Sequence, residues 1–318
     1  MALDNPHVVV IGAGAMGGLF GGLLAEGGLK VTLVDTAADH IGAIRERGLR
    51  IVGVGGDRFI PIGATTNAGD IASADVVLFQ CKAFANEAAA RASAHLFGPR
   101  GAVAISFQNG LGNEDRIGAV IGREHVVAGL TAQAGLVEAP GVVRNFGDLP
   151  THIGEMAGGL SARVEAIASA FTRHGLPTTA SADIKREKWK KLLGNVGLGA
   201  ISAVTDLRSF EIMQVPELQA TVFRLVDEAA AVAAAEGVKL DVAEARSVLM
   251  KLADTTGGGT GTSKSSMRED IIRKRPTEIG SIHGAVADLG RKHAIATPTL
   301  DAMVALVRGI ESTYLKGR

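Results

Sequence analysis

Three glycines near the N-terminus, Gly12, Gly14 and Gly17, have the spacing of a loop that binds a dinucleotide. They follow a short β-branched run, His7–Ile11, that is typical of a buried parallel strand, and they precede an apolar segment of helical character. In that setting the first glycine permits a tight turn and the second lets a pyrophosphate approach backbone N–H groups. The third lets helix and strand pack closely. We therefore predict a cofactor-binding turn formed by Gly12, Gly14, Ala15, Met16 and Gly17.

An acidic residue, Asp35, ends the second predicted strand, Lys30–Val34, about 20 residues beyond the glycines. A carboxylate at this position accepts hydrogen bonds from the adenosine ribose hydroxyls and repels a 2′-phosphate. The next basic side chains along the chain are His40 and Arg45. We therefore predict that Asp35 contributes to cofactor binding and that NADH is preferred over NADPH.

Two further loops follow predicted strands, at the strand ends where open α/β sheets bind ligands. One is Gln80-Cys81-Lys82 and the other is Gln108-Asn109-Gly110. Each also has a simpler interpretation, since Asn-Gly is a common turn and a lone lysine is most often a solvated surface charge. Cys81 is expected to be a small strand-end residue, because no base stands beside it in the sequence.

A lysine in the C-terminal half, Lys191, occupies a helical stripe with Asn195 and Gly199. The stripe adjoins an apolar face that begins at Trp189. A lysine beside an apolar face has a lowered pKa and donates a proton near neutrality, whereas the alternative is an ordinary solvated helix charge. Spacing alone leaves both interpretations open.

Two helix starts carry the remaining polar residues of interest. Ser266 and Glu269 fit a capping box, and Asp270 lies one turn beyond Ser266. Thr277 and Glu278 follow a proline and fit a second helix start. On spacing alone both are caps.

A glycine-rich stretch, 257–263, precedes Lys264-Ser265 and superficially resembles a phosphate loop. A phosphate loop requires a glycine directly before the Lys-Ser pair and a strand ahead of it, and this stretch has neither. We interpret it as a flexible connection that is a candidate lid over a site.

The predicted elements change in character along the chain. Strands alternate with helices in the N-terminal half, which indicates an α/β fold with a doubly wound parallel sheet of Rossmann type. Further strands at 125–130, 142–146 and 151–154 are expected to finish that sheet as a meander. An all-α C-terminal half follows, with predicted helices at 185–203, 215–237, 241–253, 266–274, 277–293 and 298–315. We predict a dinucleotide-binding domain over 1–181 and an α-helical substrate domain over 182–318.

The composition excludes several classes of protein. Lys+Arg and Asp+Glu both number 33, so there is no overall basic charge to favour nucleic acid or an anionic membrane as partner. Cys81 is the only cysteine, which excludes an intrachain disulfide and a cysteine-based metal cluster and fits a reducing cytoplasm. The uncharged run Val8–Ala25 lacks the positive flank of a secretory signal, and its glycines argue against a membrane-spanning helix. We predict a cytoplasmic protein without a metal site.

Taken together, the motifs resemble the ketopantoate reductase (2-dehydropantoate 2-reductase) family over essentially the whole chain. The order and spacing match in GAGAMG at 12–17, CKAF at 81–84, FQNG at 107–110, LPTHIG at 149–154, WKKLLGN at 189–195, SSMRED at 265–270 and TEI at 277–279. The resemblance implies a Rossmann domain and a helical domain (a 6-phosphogluconate-dehydrogenase-like arrangement), with a site in the cleft between them. The implied reaction is reduction of ketopantoate, as in pantothenate biosynthesis, or of a related 2-keto acid to the (D/R)-2-hydroxy acid.

The resemblance also implies roles for individual residues. Lys191 matches the family's catalytic lysine, which protonates the carbonyl oxygen, and Glu278 matches the carboxylate beside it. The cofactor-binding match is Lys82, near the cofactor ribose. The groups that match substrate-binding positions, or that bridge substrate and cofactor, are Asn109, Asn195, Ser266 and Asp270. The family typically uses NADPH, in contrast to the NADH preference that Asp35 indicates.

This sequence departs from the family pattern at four positions that bear on the substrate. Polar residues of the family are replaced at Gly199 and Gly280, and His283 and Gln133 stand where other side chains are common. A bulkier branched or aromatic acid, reduced by an NAD-dependent D-2-hydroxyacid dehydrogenase, is therefore an alternative. A non-catalytic dinucleotide sensor is a second one. His283 is either a structural helix histidine or a donor or pH-dependent charge in the site. The expected partner is a small 2-keto acid, with the protein a monomer or homodimer.

Overall fold

The computed structural model describes residues 4–98, 101–147, 149–252 and 265–315, and the glycine-rich stretch 257–263 lies outside these ranges. The chain divides into two compact units. The first comprises the chain up to Gln108 together with Asn113–Ile184, and the second comprises Asn109–Gly112 together with the chain from Lys185 onward. The sequence placed the boundary at 181/182, and the division in the structure falls at the first residue of a long helix. The short segment Asn109–Gly112 belongs to the helical unit, which no local pattern indicated.

The first unit is built on an eight-stranded sheet whose central strands are parallel. Its strands are β1 Val8–Ile11, β2 Val31–Val34, β5 Gly63–Thr65, β6 Val76–Phe79, β7 Val103–Ser106, β8 Val126–Thr131, β11 Thr151–Gly154 and β12 Thr178–Ala180. The spatial order is β12-β11-β8-β7-β6-β1-β2-β5. Six of these, from β5 to β8, follow the order of a dinucleotide-binding sheet, in which the winding direction reverses between β1 and β6. The predicted Rossmann-type fold is confirmed.

Successive side chains of the strands point to opposite faces of this sheet and are buried on both faces. Val8 and Val10 of β1 belong to one buried cluster, whereas Val9 and Ile11 belong to another on the opposite face. All four side chains of the strand are buried, as continuous β-branched runs in parallel sheets require. The helices of this unit are α1 Ala15–Glu26, α2 Ala38–Arg47, α3 Asn86–Ser93, α4 Asn113–Ile121 and α5 Ala162–Arg173.

The second of the three predicted late strands, at 142–146, does not join the main sheet, and the expected meander is wrong at this point. A separate four-stranded sheet contains β3 Leu49–Gly53, β4 Arg58–Ile60, β9 Gly135–Ala139 and β10 Val142–Asn145. In it β10 pairs in parallel with β3 and antiparallel with β9. β10 pairs with β3, which lies some ninety residues earlier in the chain. The alternation of apolar and polar residues within β10 does not specify which strand it pairs with. The predicted strands at 125–130 and 151–154 do join the main sheet, as β8 and β11, and these two pair antiparallel with each other.

The second unit is helical. Its helices are α6 Ile184–Thr205, α7 Ser209–Gln214, α8 Pro216–Ala235, α9 Val242–Leu252, α10 Ser266–Ile272, α11 Ala285–Lys292 and α12 Pro298–Ser312. The predicted apolar face of α6 is buried, with Trp189 and Leu192 each 2% exposed and Val196 fully covered. Among the described residues of the whole chain, no helix combines the length and the apolar character needed to cross a membrane.

The predicted helix 277–293 differs from the structure in one respect. A π-helical turn, Gly280–Gly284, precedes α11, so the segment is not a single regular α-helix. Thr277 accepts the backbone N–H of Ile279 through its hydroxyl at 3.2 Å and starts the segment. π-Helical turns are rare and are frequent at functional sites, so the residues around Gly280–Gly284 are candidates for a functional site.

Replacing Gly17 by alanine is expected to destabilise the protein by about 3 kcal/mol. A Cβ at this position would lie 1.8 Å from the carbonyl oxygen of Gly12, and that obstacle is backbone, which cannot rotate away. The measurement is the free energy of unfolding in urea. Gly42→Ala on α2 is the matched control, because a Cβ there meets nothing within 4 Å. Equal stability of the two variants would contradict the close packing of α1 on the turn.

Candidate functional site

The glycine turn lies at the point where the main sheet reverses its winding. Gly12 directly follows β1, and its N–H donates to the carbonyl of Val34 at 2.8 Å. Its φ of +97° belongs to the region that favours glycine. A Cβ on Gly12 would come within 2.4 Å of the backbone nitrogen of Cys81, which follows β6. The two loops that flank the reversal are therefore in direct contact, as in sheets that bind a dinucleotide there.

The N-terminus of α1 is suited to an anion. The helix begins at Ala15 with Gly14 as its N-cap, and no side chain caps the free N–H groups of the first turn. A Cβ on Gly14 would meet no atom within 4 Å, so the space beside this N-cap residue is open. Backbone donors, a helix dipole and open space are what a pyrophosphate requires. The residues present therefore fit the predicted nucleotide.

Asp35 follows β2 directly, and its carboxylate lies against the glycine turn. One oxygen accepts the N–H of Ala13 at 2.8 Å, and the other accepts the N–H of Ala37 at 3.0 Å. An ionised carboxylate has about four acceptor sites, so each oxygen retains the capacity to accept a further hydroxyl. The side chain is partly buried at the turn, in the place where an adenosine ribose is bound in such folds.

A buried histidine, His40, supports the same turn, a role that its basic character in the sequence does not indicate. Its Nε2 lies 3.0 Å from the carbonyl oxygen of Ala13, and its Nδ1 lies 3.1 Å from the N–H of Gly141. Because the carbonyl only accepts and the N–H only donates, the ring is the neutral tautomer with hydrogen on Nε2. Both ring nitrogens are thus committed to backbone groups. His40 positions the turn and leaves no donor for a phosphate.

The loops after β6 and β7 are joined by an amide network. Gln108 donates through Nε2 to the carbonyl of Cys81 and, at 2.6 Å, to Oδ1 of Asn86. Asn86 in turn donates to Oδ1 of Asn113 at 3.0 Å. Lys82, partly buried, lies at the start of the short turn that leads into this network. No local pattern indicates Asn86 or Asn113, because an asparagine in a helix carries no distinctive spacing.

The lysine predicted to donate a proton lies beside the second of these loops. Nζ of Lys191 donates to Oδ1 of Asn109 at 2.9 Å. The short segment Asn109–Gly112 is held to the helical unit by the N–H of Leu111, which donates to the carbonyl of Ser281 in the π-helical turn at 2.9 Å. Two candidate residues about eighty positions apart are thereby brought into direct contact within one unit.

Burial lowers the pKa of Lys191 to about 8. The positive charge of Lys188 contributes to this lowering of the pKa, and the carboxylate of Glu278 opposes it. A lysine with this pKa exchanges its proton near neutral pH, which an ordinary surface lysine does not do. The interpretation of Lys191 as a solvated helix charge does not fit its partly buried position.

Asn195 lies one helical turn beyond Lys191 and is partly buried. Glu278, also partly buried, lies near enough to Lys191 to act on its charge. Ser266 is exposed at the first turn of α10, and the predicted capping role belongs instead to its neighbour Ser265. Ser265 accepts the N–H of Arg268 at 3.1 Å, so the hydroxyl of Ser266 is not used as the cap.

Asp270 is a buried residue of α10 rather than a solvent-exposed one. Its carboxylate is 3% exposed and pairs with the guanidinium of Arg275 at 3.0 Å. The backbone N–H of Arg275 donates to the carbonyl of Asp270 at 2.8 Å. Asp270 therefore stabilises the connection that leads to Glu278 in the chain.

Two of the four positions that depart from the family pattern are buried. His283 is fully covered, and its Nε2 lies 2.9 Å from the carbonyl of Val196, which assigns the hydrogen to Nε2. Burial lowers the pKa of His283 to about 4, which does not fit a charge that switches near neutrality. In the part of the chain that the structure describes, Nδ1 of His283 and both amide atoms of Gln133 are buried without a hydrogen-bond partner.

These features define the class of the protein. A sheet that reverses its winding at a glycine turn, an uncapped helix N-terminus and an acidic strand end belong to a dinucleotide-binding protein of Rossmann type.

Comparison with known proteins narrows the class to one family. Residues 8–158 match the family described as ketopantoate reductase PanE/ApbA, and residues 183–311 match its C-terminal domain. A 2-dehydropantoate 2-reductase of Halobacterium salinarum is 36% identical over 303 residues, covering 95% of this chain and 98% of the relative. The chain belongs to the ketopantoate reductase family.

Solved structures agree with this assignment. A D-mandelate dehydrogenase in a ternary structure with NADH and anilino(oxo)acetate is similar with a TM-score of 0.91 and 28% identity, covering 97% of this chain and 99% of that one. A PanE/ApbA family ketopantoate reductase from Ralstonia eutropha JMP134 is similar with a TM-score of 0.88 and 29% identity, with the same coverage.

Proposed function

We propose that this enzyme reduces a 2-keto acid, with ketopantoate as the first candidate, to the (R)-2-hydroxy acid at the expense of a nicotinamide cofactor. The observation that carries the proposal is the contact of Lys191 with Asn109, together with a lysine pKa of about 8. A carbonyl that accepts a hydride develops negative charge on its oxygen, and a nearby ammonium both stabilises that charge and supplies the proton. Curated relatives named 2-dehydropantoate 2-reductase support the substrate class.

The glycine turn and Asp35 would hold the cofactor. The N–H groups at the start of α1 would bind the pyrophosphate, and the free acceptor sites of Asp35 would bind the adenosine ribose. Lys82 is proposed to lie near the cofactor's ribose and Asn109 to bridge cofactor and substrate. When bound, NADH or NADPH supplies the hydride.

The helical unit would supply the proton and hold the substrate. Lys191, as the ammonium, transfers its proton to the carbonyl oxygen and becomes neutral, and it then regains a proton from solvent. Glu278 favours the charged form of Lys191 and so keeps a proton in place before the reaction. We propose that Asn195 and Ser266 bind polar groups of the acid, and that Asp270 positions the connection before Glu278.

We propose NADH as the preferred cofactor. Both basic residues that follow Asp35 are engaged with the backbone, since His40 bonds Ala13 and Gly141, and Nε of Arg45 donates to the carbonyl of Ala64 at 2.8 Å. A 2′-phosphate would therefore be repelled by the carboxylate of Asp35, and His40 could not donate to it. The similar D-mandelate dehydrogenase was solved with NADH, which supports the same preference.

A second candidate substrate class is a 2-keto acid with a bulkier branched or aromatic group. A Cβ on Gly280 would meet nothing within 4 Å, and one on Gly199 would meet only the ring of His283, at 4.0 Å. The polar side chains that the family has at the positions of Gly199 and Gly280 are absent in this protein, which leaves space beside α6 for a larger substrate group. The aryl compound in the similar D-mandelate dehydrogenase structure supports this alternative.

Steady-state assays with a panel of 2-keto acids test the proposal. The panel contains ketopantoate, branched aliphatic acids and phenylglyoxylate, each with NADH and with NADPH. We expect ketopantoate and NADH to give the highest kcat/KM. A higher kcat/KM for phenylglyoxylate would select the second candidate class, and no turnover of any acid despite tight nucleotide binding would overturn the proposed function.

A further inference from the structure

A second lysine, Lys188, is buried one helical turn before Lys191. Only 6% of Lys188 is exposed, although lysine is almost never this deeply buried in proteins. Residues three apart on an α-helix lie on the same face, with Cβ atoms about 5–6 Å apart. Lys188 and Lys191 therefore share the face of α6 on which Asn195 also lies. Burying a charged group costs free energy unless the group is paired or hydrogen-bonded, so a lysine at such a depth is held in a defined position.

The neighbouring lysine Lys190 shows the ordinary alternative. Its side chain is 45% exposed, and its Nζ lies 3.4 Å from a carboxylate oxygen of Glu244. It lies between Lys188 and Lys191 in sequence but on a different face of α6. Lys190 is thus a solvated helix charge of the kind that the sequence alone would also have assigned to Lys188.

The charged groups that act on Lys191 come from two elements. Lys188, on the same helix, lowers the pKa of Lys191, and Glu278, ahead of the π-helical turn, raises it. The third neighbour, Asn109 in the short segment Asn109–Gly112, contributes a neutral amide oxygen. One positive and one negative charge therefore oppose each other at the proposed proton donor. Burial weakens the screening of both by water.

We propose that Lys188 is a positioning residue that acts through Lys191, placing a fixed positive charge beside it so that its ammonium releases a proton more readily. The inference rests on the proposed function of Lys191. A like charge at short distance in a poorly solvated place disfavours the charged form of its neighbour. The same arrangement activates lysines in other chemistry, where a second cation stands beside the reactive amine. Lys188 itself neither touches the substrate nor transfers the proton.

The test replaces Lys188 by methionine and by glutamine, which remove the charge and keep most of the volume. We expect the pKa of Lys191 to rise by about 0.5 to 1 in both variants. Competitive acetylation across a pH series, read by mass spectrometry of the Lys191 peptide, measures this pKa without substrate or cofactor. In the reduction assay, where the ammonium form is active, the fall of kcat/KM at alkaline pH should move upward by the same amount. Activity at pH 9 relative to pH 7 should then be about 2.5- to 5-fold higher than in the native enzyme.

Two control variants separate charge from structure. Lys188→Arg keeps the positive charge and should leave the alkaline fall of kcat/KM unchanged. Lys190→Met removes a charge from the exposed face of the same helix and should also leave it unchanged. A merely structural role of Lys188 would lower kcat or stability in the neutral variants without moving the pKa of Lys191.

An unchanged labelling pKa of Lys191 in both neutral variants would overturn the inference, as would an equal change in Lys190→Met. A complete loss of turnover in the neutral variants with Lys191 still titrating near pH 8 would also overturn it. These outcomes are distinct from failure of the proposed function, which is judged on Lys191 variants and on the substrate panel.

Discussion

Replacement of Lys191 by methionine is expected to lower kcat for 2-keto acid reduction by about 10²- to 10⁴-fold, the usual contribution of a positioned proton donor. Methionine preserves most of the side-chain length and removes the ammonium that contacts Asn109 at 2.9 Å. The nucleotide-binding turn lies in the other unit, so the Kd for NADH measured by fluorescence titration should change little. Steady-state kinetics with the best acid of the panel provides the measurement.

The same replacement is expected to stabilise the protein at neutral pH. The pKa of Lys191 is depressed to about 8 in the folded protein, and an unfolded lysine titrates near its ordinary value. Between these two values the unfolded chain binds more protons, so the native protein gains stability as pH rises through this window and carries the full penalty below it. Methionine has no such penalty, which is of the order of 3 kcal/mol at pH 7 before the lost hydrogen bond to Asn109 is subtracted.

Urea unfolding of the native protein and of Lys191→Met at pH 7 and pH 10 measures this effect. The stability difference in favour of methionine should shrink at pH 10. Lys190→Met, which removes an exposed lysine of the same helix, should show no comparable dependence on pH. Turnover within twofold of the native enzyme in Lys191→Met would refute the role of Lys191 as proton donor, whatever its stability.

Replacement of Asp35 by alanine is expected to lower the ratio of kcat/KM for NADH to that for NADPH by about 10²-fold. Hydrogen bonds to a charged group contribute about 1.5–3 kcal/mol each, and two ribose hydroxyls lose such a bond. The variant also removes the carboxylate that would repel a 2′-phosphate. Assays with both cofactors at one saturating acid concentration measure the ratio.

Control variants are needed because Asp35 also accepts the N–H groups of Ala13 and Ala37. Asp35→Asn retains an acceptor for one of these groups and removes the charge, so it should change the cofactor ratio with less loss of stability. Asp39→Ala removes an exposed carboxylate from the first turn of α2 and should leave the ratio unchanged. An unchanged ratio in both Asp35 variants would show that the carboxylate does not select the cofactor.

Local patterns were sufficient for most of the architecture. The glycine spacing predicts the turn after β1, because a tight turn and a close helix approach demand residues without side chains. The 3.6-residue period predicts the buried face of α6 from Trp189 onward. Such features depend on residues near each other in the chain, and nearby residues are what a single sequence displays.

Predictions that depended on distant partners were less successful. The strand β10 was placed in the wrong sheet, because its alternation is satisfied equally by any partner with a free edge. The helix cap of α10 was assigned to Ser266 rather than Ser265, since adjacent serines offer the same hydroxyl and only the backbone conformation distinguishes them. The support that His40 gives to the turn depends on Gly141, about a hundred residues away.

The sequence by itself determined that this chain binds a dinucleotide in a Rossmann-type sheet, and its motifs indicated the family to which it belongs. Only the tertiary structure decided that Lys191 meets Asn109 and that Lys188, on the same helix face, is buried. The pKa of a lysine is fixed by the water it loses and by the charges that surround it. Those surroundings are assembled from segments far apart in the chain, so the chemistry of Lys191 exists only once the chain has folded.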